Sequence, residues 1–211
     1  MSVDTVTTFF ALLAIVALVV VVVTGLTALV AKLTGGLPGW AVETRDAVSP
    51  LALPLAFAVA LTCMLGSLYL SEVAKFPPCI FCWYQRIAMY PLVVLLAVAS
   101  LRRDRAVKWY VVPLALIGMG ISIYHYLVER FPETVSSSCS AGVPCSTVWV
   151  WKFHFLSIPA MAGLGFALII TLVLLAGSSG SDSGPAGRGT TLDEAERATI
   201  PPRNDRQEVT R

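Results

Sequence analysis

Five long apolar runs decide what this chain can fold into: Thr8–Leu33, Pro50–Ala74, Cys82–Leu101, Val107–Val128 and Ser157–Ala176. Each has about 20 residues or more, enough for a helix to cross a hydrocarbon layer about 30 Å thick. Inside lipid no water satisfies the backbone, so such a run must close its own hydrogen bonds as a helix. That holds even for Val19 to Val23, whose branched side chains are poor helix formers in water. Composition agrees: 56% of the 211 residues are hydrophobic and 13% charged, against roughly 25% charged in soluble domains. The expected fold class is an all-α membrane protein. The net charge of +2 is spread over loops and tail, which gives orientation and no nucleic-acid surface.

The first run lacks a basic n-region and is too long for a signal core, so it reads as a retained membrane helix; a cleaved signal is the alternative. A polar connector with Gly35, Gly36 and Pro38 follows. Residues 1–50 therefore form an N-terminal helix with its connector, 51–177 a four-helix membrane domain, and 178–211 a Gly/Ser/Pro-rich, then charged, disordered tail. Pro50, Pro54 and Pro159 fall in first turns, where a missing N–H costs least. Pro91 is expected to kink the third run. Gly163 and Gly165 read as tolerated glycines in a membrane helix.

Arg102, Arg103, Arg105 and Lys108 crowd a very short loop, which is therefore cytoplasmic. The connector and tail share that side, and the N-terminus lies outside. The Cys79–Cys82 stretch and the loop from Glu129 to Leu156 then both face outward. Within that loop, Val148–Leu156 is expected to be an interfacial helix, with an aromatic belt as the alternative.

The chemistry-bearing residues are thiols. Cys79 and Cys82 follow Pro77-Pro78 and open an apolar run, so both are expected in the first turn of a helix. There the free N–H groups and the dipole favour a thiolate. A disulfide across three residues removes little unfolded-chain entropy, so a redox pair is the better reading than a structural clamp. Cys139 and Cys145 form a second close pair, equally a staple of their loop or a partner in exchange. Cys63, in mid-span, reads as a small hydrophobe. The cysteines and two histidines show no metal-ligand spacing beyond Cys-x-x-Cys, so no metal is assigned.

Two pairs on one face can relay oxidation through mixed disulfides, and the relay needs an acceptor. No flavin or nicotinamide motif is present, whereas a membrane bundle can hold a quinone. Arg86 lies four residues beyond Cys82, about 6 Å deeper by helical rise. It is a candidate to stabilise the Cys82 thiolate and polarise a quinone oxygen, or to snorkel to headgroups. His125 is a second candidate for a quinone carbonyl, or an interfacial histidine. Gln85 has no assigned role.

Cys79-Ile80-Phe81-Cys82-Trp83-Tyr84-Gln85-Arg86, Met89-Tyr90-Pro91, Tyr124-His125-Tyr126, Cys139, Pro144-Cys145-Ser146 and Ser157-Ile158-Pro159 together resemble the DsbB family of bacterial disulfide-forming membrane proteins, in its BdbC-like branch. The resemblance covers about Leu51 to Ala176. It implies a four-helix bundle, and Thr8–Leu33 departs from it as an extra N-terminal helix outside that core. It also implies a bacterial cytoplasmic (inner) membrane location, with the bilayer as its surroundings. The implied activity reoxidises an extracytoplasmic DsbA-like thioredoxin-fold thiol oxidase and passes electrons to menaquinone or ubiquinone of the respiratory pool. Cys79 and Cys82 match the quinone-proximal pair, Arg86 the quinone-side arginine, and Cys139 and Cys145 the partner-facing pair; His125 matches a position near the quinone. Two rivals are a vitamin K epoxide reductase-type enzyme, whose Cys-x-x-Cys lies near the bundle's end, and a non-enzymatic protein with structural disulfides.

Overall fold

The computed structural model describes residues 2–132 and 144–178. They fold into six helices: α1 (Val3–Thr34), α2 (Gly39–Val48), α3 (Ala52–Leu68), α4 (Ile80–Arg102), α5 (Lys108–Arg130) and α6 (Ile158–Ser178). Among the described residues there are five membrane-length apolar helical spans, one of them running from Gly39 to Val73. The all-α expectation holds, as does the bundle with an added N-terminal helix. The expectation of a disordered tail over residues 178–211 falls outside the described residues, except that Ser178 belongs to α6.

α3 packs on α4 and α6, and α5 packs on the same two helices, so the four close into a ring. α1 stands outside the ring against α6. The core between the four includes Leu92, Leu96, Val111, Phe166 and Ile169, all fully buried. Phe166 fills the space that Gly118 leaves on α5, where any Cβ would collide with its ring. Cys79 and Cys145 mark one end of the bundle, the cysteine end; Arg102 to Lys108 mark the other, the arginine end.

Several expectations change. The connector is not simply a polar loop: Gly39–Val48 is helical, leading through a 3₁₀ turn with Pro50 into α3. Val148–Leu156 is not an interfacial helix. Phe153 and His154 take positive φ, 52° and 65°, which no α-helix admits. The chain instead turns back on itself through a Lys152–Leu156 bridge. The aromatics still serve as anchors: Trp149 stacks on Phe76 at 5.1 Å and Arg130 lies 4.9 Å above Trp151. Gly163 and Gly165 are close-packing sites rather than merely tolerated, since a Cβ on Gly165 would fall 2.7 Å from Cys63 Sγ. α4 continues through Pro91 and α5 through Pro113.

A candidate thiol–quinone site

The π turn of Tyr69–Val73 is capped by Ala74, Lys75 follows at a φ of 57°, and Pro77-Pro78 then delivers Cys79 in an extended conformation as the N-cap of α4. Cys79 is thus one residue short of the first turn expected for it, and Cys82 lies inside that turn. Their sulfurs are 3.3 Å apart and both are free thiols.

α5 brings His125 to this pair across the bundle. Its Nε2 is 3.5 Å from Cys79 Sγ, and its Nδ1 is 3.5 Å from Gln85 Nε2. Both residues are buried, His125 at 3% exposure and Gln85 at 6%. With the Gln85 amide donating to Nδ1, the ring proton sits on Nε2 and faces the sulfur. Phe81 flanks the ring at 5.5 Å. His125 therefore contacts Cys79 directly, which sequence spacing did not reveal. The Cys79 thiol has its pKa held well below the ordinary value, first by its hydrogen bond with Cys82 and then by His125.

Cys145 is disulfide-bonded and 1% exposed. It packs in one cluster with Cys79, Cys82, Phe81 and Val128. The structure thus brings the second motif onto the first; Cys139 lies outside the described residues. Arg86 turns the other way, toward α3. Its Nε donates to Ser67 Oγ and an Nη to the Ser67 carbonyl, both at 2.8 Å, and its guanidinium lies 5.3 Å from the Trp83 ring. That fork fixes a full positive charge within electrostatic reach of Cys82.

Cys82, Gln85 and Arg86 line a cavity of about 420 Å³ between α1, α3, α4 and α6. Ser67 and Ser71 add polar groups at this end, and the remainder is largely apolar. Tyr90, one turn beyond Arg86, also lines it, and the Tyr90 hydroxyl is buried with no hydrogen-bond partner. Glu129, one turn beyond His125, has a buried carboxylate oxygen in the same condition. Tyr90, Gln85 and Glu129 had no role in the sequence reading. Their i, i+4 spacing from Arg86 and His125, or adjacency to Arg86, was the available signal. Donor atoms of Cys79, Cys82 and His125 lie within 4.8 Å of one another, so a thiophilic ion is the one metal this reduced set is chemically suited to hold.

The model of the family described as disulfide bond formation protein DsbB matches residues 49–176. The chain belongs to the DsbB family. Among its relatives, disulfide bond formation protein C of Bacillus subtilis is 50% identical over 120 residues, covering 56% of this chain and 87% of that protein. Probable disulfide formation protein C 2 of Bacillus cereus is 41% identical over 121 residues, 57% of this chain and 87% of that protein. The homologue from Halalkalibacterium halodurans is 44% identical over 117 residues, 55% and 85% respectively. No solved structure matches the chain. This DsbB-family member, of the disulfide formation protein C branch, is a multi-pass membrane protein of disulfide formation.

Quinones are typical of the DsbB family, and the residues here fit one. The cavity is largely apolar with a polar end, a fixed cation stands beside a thiol there, and the orphan Tyr90 hydroxyl lacks an acceptor. A ring carrying two carbonyl oxygens and an apolar tail matches that donor set.

Proposed function

We propose that this chain is a thiol:quinone oxidoreductase that reoxidises a DsbA-like thioredoxin-fold thiol oxidase outside the cytoplasmic membrane. The observation that carries the reading is the position of Cys82 and Arg86 at the polar end of the apolar cavity, with Cys145 packed against Cys79 behind them. Both cysteine pairs then face outward and the Arg102–Lys108 turn inward.

A partner thiolate attacks the Cys139–Cys145 disulfide, most directly at Cys139, because Cys145 is buried against Cys79. The partner's second thiol closes its own disulfide and leaves Cys139 and Cys145 reduced. The Cys145 thiolate attacks Cys79 of an oxidised Cys79–Cys82 pair, and Cys139 resolves the mixed disulfide. Two electrons now reside on Cys79 and Cys82 as a dithiol. His125 Nε2–H donates to the Cys79 thiolate and holds it charged; Gln85 keeps the ring in that tautomer. Arg86, braced by Ser67, supplies positive charge where the Cys82 electrons leave. A bound quinone supplies the two-electron, two-proton acceptor that lets the pair close again as a disulfide.

The test is cysteine alkylation and mass analysis in quinone-depleted membranes. Added reduced thioredoxin-fold partner should reduce both pairs, and added quinone should reoxidise them. Pairs that stay oxidised, or that ignore quinone, sink this reading.

A further inference from the structure

α1 lies outside the residues shared with the DsbB family, yet it lines the cavity. The geometry points to the first half of α1, Thr7 to Ala17, as a wall that closes the lipid-facing side of the quinone slot and contacts the isoprenoid tail. This inference rests on the cavity being a quinone site. On that side of the four-helix ring α1 covers Gly66 of α3 with Phe10.

Four observations carry it. Thr7, Phe10, Leu13, Ala14, Val16 and Ala17 all line the cavity. Phe10 lies over Gly66 of α3, where a Cβ would come within 2.8 Å of its ring, so small and large residues are matched across the gap. Ala11 and Ala14 pack with Leu156, beside Ala160, Met161 and Leu164, and Lys152 pairs with Asp4 at the top of α1. Finally, the buried residues of α1 end at Ala17, while Val19, Val22, Leu26, Leu29 and Leu33 remain exposed. The wall is therefore about 15 Å tall. Below it no residue of α1 is buried, and a longer tail has an exit to lipid. Filling the slot at its lower rim should penalise tailed quinones and spare tail-less ones.

The experiment uses the unaltered full-length protein in phospholipid nanodiscs, with a quinone carrying a photoreactive diazirine along its isoprenoid tail. Cross-linked peptides are mapped by mass spectrometry. Labelling within Thr7–Ala17 that excess unlabelled tailed quinone competes away supports the wall. Competed labels confined to α3, α4 and α6 overturn it and leave the quinone reading standing. No competed label anywhere removes the quinone reading, and this inference with it. Quinone binding read by tryptophan quenching gives a second measure. Ala17→Phe should weaken a tailed quinone about tenfold and a tail-less one less than about twofold. Equal effects on both would also overturn the wall.

Discussion

At the arginine end of the bundle, Leu96, Ala99, Val107, Val111 and Val173 meet in an apolar layer. At the cysteine end, the same α4 and α5 bury Gln85 and His125 against two free thiols, with Ser157 buried nearby at the start of α6. Burying polar groups costs free energy unless they are paired. One end spends its contacts on packing, the other on holding a histidine, an arginine and two sulfurs in register. The comparison teaches that one scaffold can separate stability from chemistry along its own length. The long hydrogen bonds at 3.5 Å and the orphan Glu129 oxygen sit at the cysteine end, and the orphan Tyr90 hydroxyl lies midway along α4.

That separation can be broken from either side. Cys82→Ser should abolish quinone-driven reoxidation in the alkylation assay, leaving Cys139 and Cys145 able to exchange with a reduced partner. Arg86→Ala should slow reoxidation about 10²-fold, as loss of a fixed charge at a reacting centre does. Arg86→Lys should recover only part, because an ammonium cannot reproduce the fork on Ser67. At the other end, Leu96→Ala should cost about 2–5 kcal/mol of stability, read as a lowered melting temperature, with Cys79 alkylation unchanged. A large change in Cys79 reactivity there would show that the two ends are coupled after all.

The smallest effect concerns pH. Cys79 has its pKa lowered by Cys82 and His125, so its thiolate survives below the ordinary thiol range and is lost only as pH falls through the lowered value. Alkylation of the reduced protein should therefore stay fast at pH 6. His125→Ala removes one of the two causes, raises the pKa, and should slow Cys79 alkylation at pH 6 about tenfold. An unchanged profile would mean that His125 does not serve Cys79.

Much of this molecule was legible in its sequence, and for a physical reason. Lipid leaves a long apolar run no choice but helix, so five spans follow from hydropathy alone. Thiol spacing singled out the candidate redox residues because exchange chemistry demands paired cysteines, and Arg86 follows Cys82 at one helical turn. Local rules failed where context competes. The aromatic stretch Val148–Leu156 has a usable helical face, yet tertiary packing turns it back on itself at Phe153 and His154. Partners distant in sequence belonged to the tertiary structure alone. His125 reaches Cys79 across 46 positions and Arg86 reaches Ser67 across 19. Phe10 meets Gly66, and α1 becomes a cavity wall, only because α1 docks on α6. Periodicity reports which face of a helix is apolar; it carries no record of which other helix that face will meet.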